Sequence, residues 1–292
     1  MAGPRLLIDS PLAFSPSSYG LLSVAQAATP QSPHWQNGVT WIANCNNADT
    51  TYDECIAVTG IGSPPAPATK AASTGLELRG ATPFTVYARF DCSPVGMDVI
   101  ALANEALRMD SSRQAEIAFW VGTAAAQTVV WPHLAADAMV LDAQNITLQT
   151  VPVTGAADDV ASSLGFVEDA LGDCYNGQGV IHIPRLAIPT FDAWGLLRVV
   201  RGQLQTLNGN LVVAGTGYPG TAPDGTNPTA GTTWIYATGA VFEMHSEVRV
   251  NTLRDSLDRS ENTVQSIAEQ TYVLGFDCCH VGAIVELGVP NT

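Results

Sequence analysis

The chain has 292 residues, which is enough for one large domain or two closely packed ones with a substantial buried core. Hydrophobic residues make up 46% and charged residues only 13%, about half the charged share of a typical soluble domain. This composition favours a subunit that buries surface against other chains, with a secreted β-rich protein as the alternative. The net charge of −15, with Lys70 as the only lysine, argues against nucleic-acid binding through a basic face.

The N-terminal region, residues 1–40, is rich in Ser, Pro, Ala and Gln and has no sustained hydrophobic period. We expect an extended arm that lies against another surface, because it cannot build a core of its own. Residues 19–28 end in a small-residue pattern like a signal-peptidase site, but Arg5 lies far upstream, so we expect no signal peptide. No apolar run approaches the ~20 residues of a membrane span, so we expect no membrane association.

Residues 39–92 predict two strands around a loop. The strands are expected at 39–43 and 83–91, and the segment 61–75 between them is rich in Pro, Ala and Gly. We expect the region 56–82 to project from its own subunit and pack on a neighbour, since it cannot form a local core.

Three helices follow in the predicted order. The first covers 97–120, with Asp98 in its first turn and helical spacing from Val99 to Met109. The second covers 158–171 and ends at Gly172, with an apolar stripe that we expect to pack on a strand at 179–185. The third covers 190–200. The second stripe consists of Val160, Leu164, Val167 and Leu171, and Trp194 and Leu197 form the buried side of the third helix.

The last third of the chain predicts strands. Asn208-Gly209 between two apolar runs is a strong hairpin signal. One long strand is expected at 233–250, and two more at 263–276 and 281–287. The fold class is therefore mixed α+β, without an internal repeat.

Several residues look like candidates for chemistry, and each has a structural explanation. Gly215–Gly220 matches G-x-G-x-x-G after a strand, but the following TAPDGTNPTAGT cannot form the helix that a dinucleotide site needs. Asp158 and Asp159 fit a helix start better than a catalytic pair. Asn145 begins a glycosylation sequon, which matters only in a secreted chain. We expect no catalytic residue, no cofactor and no metal.

The six cysteines, at 45, 55, 92, 174, 278 and 279, include no C-x-x-C pair. Cys174 with His182 could form a thiol–imidazole pair, but both have the setting of core residues. Cys278, Cys279 and His280 would alternate across a strand and could not chelate one ion. We expect buried free thiols, with three disulfides as the alternative. If a bridge forms, we expect Cys45–Cys55, because these two flank one polar stretch.

The order of these elements resembles the Hong Kong 97-type major capsid protein of tailed bacteriophages. The resemblance covers about residues 40–290. The segments that carry it are MDVIALANEALRMDSSRQAEIAFWVG, similar to a spine helix and its exit; DDVASSLGFVEDALGDCYNGQGVIHIPRLAIPTFDAW, similar to the axial-domain helix, strand and helix; and LQTLNGNLVVAGTGYPG, TWIYATGAVF and TVQSIAEQTYVLGFDCCHVGAIVEL, similar to the later hairpin and strands.

The resemblance implies an N-terminal arm at 1–40, an extended-loop region at 41–92, a peripheral domain with the spine helix at 93–154, an axial domain at 155–235 and a return to the peripheral domain at 236–292. It implies a structural, non-enzymatic protein that self-assembles into hexamers and pentamers of an icosahedral virion head, with assembly in the host cytoplasm. The implied partners are copies of itself, a portal and decoration or scaffolding proteins, around double-stranded DNA bound without sequence specificity. The alternatives are an encapsulin-like or other virion protein, and a thiol-dependent hydrolase.

Overall fold

The computed structural model describes residues 17–30, 32–43, 45, 78–92, 98–124, 128–136, 139–141, 146–153, 159–175, 177–252 and 264–288. The α-helices in these ranges are α1 (Val99–Val121), α2 (Val160–Cys174) and α3 (Ile188–Ala193), with short 3-10 helices at Leu21–Ser23, Pro33–Asn37 and Arg185–Ala187. The strands are β1 (Gln26–Ala27), β2 (Val39–Ile42), β3 (Leu78–Ala81), β4 (Phe84–Cys92), β5 (Thr123–Ala124), β6 (Thr128–Val129), β7 (Met139–Leu141), β8 (Ile146–Leu148), β9 (Val151–Pro152), β10 (Val180–Pro184), β11 (Leu197–Val200), β12 (Gln203–Thr206), β13 (Leu211–Gly215), β14 (Thr232–Thr238), β15 (Val241–His245), β16 (Arg249–Thr252), β17 (Val264–Phe276) and β18 (Val281–Glu286). None of the described helices is both long and apolar enough to cross a membrane.

A seven-stranded sheet with the order β11-β12-β13-β10-β14-β18-β9 forms one half of the molecule. Helix α2 packs on it and buries the predicted stripe, which shares a core cluster with Ile181 and Ile183 of β10. Asp159 caps the helix, since its carboxylate accepts from Ser162 N at 2.8 Å. The predicted burial of Leu164, Val167 and Leu171 is confirmed, but the helix lies chiefly on β18 and β14 and not on the predicted strand, which is β10.

A second sheet is built around the long strand β17. Strand β4 pairs along one edge, β16 and β15 pair in turn with the other, and β1 extends β15. Helix α1 packs on this sheet, and Asp98 caps it by accepting from the amides of Ile100 and Ala101. Leu21 of the arm is fully buried in the same core and β1 pairs with β15, so this part of the arm lies on its own subunit.

Four sequence predictions need correction. Helix α2 continues past Gly172 to Cys174. The predicted helix at 190–200 is α3, which ends earlier because Gly195 adopts a left-handed conformation (φ +66°), and Leu197 instead begins β11. The predicted strand 233–250 is three strands divided between the two sheets. The helical spacing from Val99 to Met109 predicts a single apolar face for α1, but Met109 is 53% exposed.

Some predictions lie outside the described residues. These include Cys55, Lys70, Asn145, Asp158 and all but the last part of the predicted projecting loop 56–82. The division of the chain into five regions stays a prediction. Strand β18, in the last of these regions, belongs to the seven-stranded sheet.

Candidate functional site

The chain passes between the two sheets at two neighbouring crossovers. The first, Gly239–Ala240, leads from β14 to β15, and the second, residues 277–280, leads from β17 to β18. The amide of Asp277 donates to Ala240 O at 2.8 Å, and that of Gly239 donates to Cys278 O at 3.2 Å. We call these two crossovers and the side chains packed on them the junction.

Two disulfides hold the second crossover. Cys278 is bonded to Cys45, which follows β2, and Cys279 is bonded to Cys174 at the end of α2. The bridged residues are 233 and 105 positions apart in the sequence, so each bridge closes a very long loop. The crossover is therefore covalently tied both to the start of the loop region and to α2.

This arrangement overturns the expectation of free thiols at these four positions and the predicted Cys45–Cys55 bridge. Cys278 and Cys279 were also expected to lie on a strand and face opposite sides. Both instead lie in the crossover with positive φ angles of 23° and 47°, and both are buried in the core under α2. Successive side chains point to opposite faces only within a regular strand, so two adjacent cysteines in a crossover can both be buried on one side.

His182 is fully buried at the same junction and is hydrogen-bonded on both ring nitrogens. Thr238 Oγ1 donates to Gly239 O, so it accepts from His182 Nε2 at 3.0 Å. The Tyr218 hydroxyl then donates to His182 Nδ1, also at 3.0 Å. Burial lowers the pKa of His182 to about 3, with the charge of His280 as a smaller cause. The ring is neutral and structural at neutral pH.

His280 has a similar setting. Its Nε2 donates to Leu134 O at 2.7 Å and lies 3.0 Å from Thr150 Oγ1. Burial lowers its pKa to about 3. The predicted candidate pair of Cys174 and His182 does not exist as a thiol–imidazole pair, because Cys174 is oxidised and His182 binds other partners. Within the described ranges, no cluster of His, Cys, Asp or Glu is arranged to hold a metal ion.

The glycine-rich loop Gly215–Gly220 packs against the second half of α1. A Cβ on Gly217 would lie 2.8 Å from Glu116 Cβ and 2.9 Å from Ile117 N, so this position requires glycine. Tyr218 packs on Trp120 with ring centroids 4.8 Å apart. The glycines therefore serve the contact between the loop and the helix, and a dinucleotide site is excluded because no helix follows the loop.

Glu116 joins three parts of the molecule from this position. Its side chain is 2% exposed. One carboxylate oxygen accepts from Leu21 N at 3.0 Å; the other accepts from Thr216 Oγ1 at 3.0 Å and Gly217 N at 2.8 Å. The arm, α1 and the seven-stranded sheet are thus fixed to one another. Sequence reasoning missed Glu116, and the only signal was a carboxylate in the otherwise apolar run AEIAFW.

The described contacts are structural: buried polar contacts and disulfides fix the two sheets to each other.

No protein-family model and no curated protein sequence matches the chain. It is similar to the solved capsid of an empty GTA particle, with a TM-score of 0.56 and 12% identity over 97% of this chain and 94% of that one. It is also similar to a structure from Microbacterium phage Oxtober96, with a TM-score of 0.51 and 15% identity over 97% and 95%.

A third similar structure is the capsid of the native GTA particle, with a TM-score of 0.51 and 14% identity over 97% of this chain and 94% of that one. At these identities the likeness establishes the fold. The chain has the Hong Kong 97-type capsid fold, and the predicted α+β class is confirmed.

Proposed function

We propose that the chain is a shell-forming subunit that assembles with copies of itself into hexamers and pentamers of an icosahedral virion head. The observation that supports this most directly is the likeness to the GTA capsid, which extends over nearly the whole of both chains. A match of that extent leaves little of the chain for an added catalytic domain. The low charge content supports the same proposal, because surfaces poor in charge favour burial between subunits.

The proposed role is structural and not enzymatic. The cysteines considered as nucleophiles, Cys174 and Cys278, are both in disulfides and therefore carry no thiolate. Bridging at these positions argues against the thiol-dependent hydrolase hypothesis.

The proposed location is the virion, after assembly in the host cytoplasm. The shell would enclose double-stranded DNA without gripping it, since an acidic wall repels phosphates and leaves packaged DNA free to slide. A portal and decoration or scaffolding proteins are further proposed partners. Residues 1–40 would act as arm, 41–92 as extended-loop region, 93–154 and 236–292 as peripheral domain, and 155–235 as axial domain.

The test is the assembly state of the purified chain, measured by size-exclusion chromatography and negative-stain electron microscopy. We expect closed particles. A discrete small oligomer under all conditions that permit folding would contradict the proposal. Nucleic-acid content of particles from the native source separates a virion head, which contains DNA, from an encapsulin-like compartment, which does not.

A further inference from the structure

An open groove lies between the exposed face of helix α2 and the turn that joins β12 to β13. The groove has a volume of about 420 Å³. Its lining residues are Gly165, Glu168, Asp169, Gly172, Asp173, Asn208 and Asn210. Within the described part of the chain, the exposed carboxylates of Asp169 and Asp173 have no hydrogen bond and no ion pair.

The groove carries two glycines that the subunit itself does not require. Gly165 and Gly172 lie two turns apart on the same face of α2. A Cβ at either position would meet no atom within 4 Å, and neither glycine has a positive φ. Glycine weakens a helix relative to alanine. What glycine provides at both positions is an open helix backbone that another chain can approach closely.

A narrow basic hairpin lies elsewhere on the same sheet. Strands β11 and β12 pair in the register Val200↔Gln203, so Arg201 and Gly202 form the tip. Arg201 has a positive φ of 52°, unusual for a side chain of this size, and is exposed together with Arg198. Neither arginine forms an ion pair among the described residues, although the chain has only 12 basic residues in total.

The tip does not meet the groove of its own chain. Arg201 precedes β12, whereas Asn208 and Asn210, which line the groove, follow β12. The four residues of β12 separate the two ends by roughly 13 Å, at about 3.3 Å per residue. The exposed guanidinium of Arg201 can therefore pair with the exposed carboxylates of Asp169 and Asp173 only in a second copy of the chain.

We propose that the tip of the β11–β12 hairpin in one copy docks in the α2 groove of a second copy, with the Arg201 guanidinium facing Asp169 and Asp173. The planar guanidinium suits recognition of a carboxylate pair, and the two glycines admit the hairpin backbone. The contact joins two different surfaces, so repeating it produces a ring of subunits when the rotation between neighbours closes. This inference rests on the proposed self-assembly and names one contact within it.

A charge exchange tests the contact. We expect Arg201→Glu and Asp169→Lys, each made alone in the full-length chain, to raise the concentration needed for particle formation at least tenfold. A tenfold change corresponds to about 1.4 kcal/mol. The combined variant should restore assembly to within about threefold of the unaltered chain, because it places opposite charges at the contact again. Glu247→Lys, an exposed charge reversal away from the groove, is the matched control and should assemble normally.

A second variant fills the groove without changing charge. Gly165→Leu places a better helix former on an open face, so the subunit should unfold at the same or a higher temperature and yet lose particle formation. The proposed contact would be overturned if either single variant assembled normally or if the combined variant failed to assemble. Normal particles from Gly165→Leu would also overturn it. If the unaltered chain forms no particles, both the proposed function and this contact are contradicted. The other outcomes contradict only the contact and leave the proposed function intact.

Discussion

At the scale of single residues, Glu116 is the buried carboxylate on which three segments converge. All three of its described partners are donors, and they are shared between both oxygens. Glu116→Gln keeps the size of the side chain but turns an NH₂ group toward a donor, whichever way the amide is placed. We expect the free energy of unfolding to fall by about 2 kcal/mol in urea titrations.

The control for this substitution is Glu105→Gln on the same helix. Glu105 is exposed and pairs only with Arg108 among the described contacts. Exposed ion pairs contribute little, so this change should leave the free energy of unfolding nearly unchanged. Equal losses in the two variants would contradict the role given to Glu116.

The buried histidines give the subunit a defined pH dependence. Burial lowers the pKa of His182 and of His280 to about 3 from an ordinary value near 6.5. The unfolded chain therefore binds more protons than the folded chain as pH falls, so stability is complete above pH 6.5 and is lost progressively from there toward pH 3. At pH 5 the loss should be about 2 kcal/mol for each histidine.

Urea unfolding of the subunit between pH 7 and pH 5 measures this loss in a range above the ordinary carboxyl pKa values. In the same range, the ring proton resonances of His182 and His280 should not titrate in the folded protein. His133, whose pKa is also lowered by burial, adds to the loss in the same direction. Unchanged stability across this range would contradict the neutral, buried state of these rings.

At the scale of elements, the packing of α2 on the seven-stranded sheet is the main apolar contact of that half of the molecule. Leu164 is 3% exposed and lies in one core cluster with Ile181 and Ile183. Leu164→Ala should lower the free energy of unfolding by about 2–5 kcal/mol, since it removes apolar contacts and leaves a cavity. Phe166→Ala, an exposed position on the same helix, should change it by under about 1 kcal/mol in the same denaturation assay.

The disulfides join elements that are remote in sequence. In the chain-entropy model, a bridge that closes a loop of about 100 residues stabilises a protein by up to about 5 kcal/mol through the unfolded state. Cys174→Ser, which opens the bridge to Cys279, should therefore lower the unfolding temperature of the oxidised subunit. Treatment with a dithiol reductant should lower it for the unaltered chain by at least as much. If the unfolding temperature of the unaltered chain is the same with and without the reductant, the bridges are not formed.

At the scale of the whole molecule, the sequence predicts elements well where the pattern is local. Both long helices, β4, β10, β17 and the hairpin around Gly209 follow from hydrophobic period, caps and turn residues. The junction was not predictable in this way. The division of 233–250 between two sheets depends on the crossover at Gly239–Ala240, and local pattern does not reveal the pairing of Cys45 with a residue 233 positions away.

The loop region is where the fold and the proposed assembly can be separated experimentally. Strands β2 and β3 pair in the register Ile42↔Leu78, so the two ends of the intervening segment are held side by side. Deleting residues 61–75 leaves 43–60 and 76–77 to connect these ends, and shortening a loop to this extent alters its closure entropy by only about 0.5 kcal/mol. The shortened chain should therefore fold with a nearly unchanged unfolding temperature.

The same deletion should abolish particle formation, because the removed Pro-, Ala- and Gly-rich segment cannot form a local core and is predicted to pack on a neighbouring subunit. Negative-stain microscopy and size-exclusion chromatography of the folded variant provide the measurement. A replacement of 61–75 by a Gly/Ser segment of equal length separates the effect of length from that of the side chains, and we expect it to fail in assembly as well. Normal particles from either variant would show that this region does not contribute to contacts between subunits, and the described fold would be unaffected.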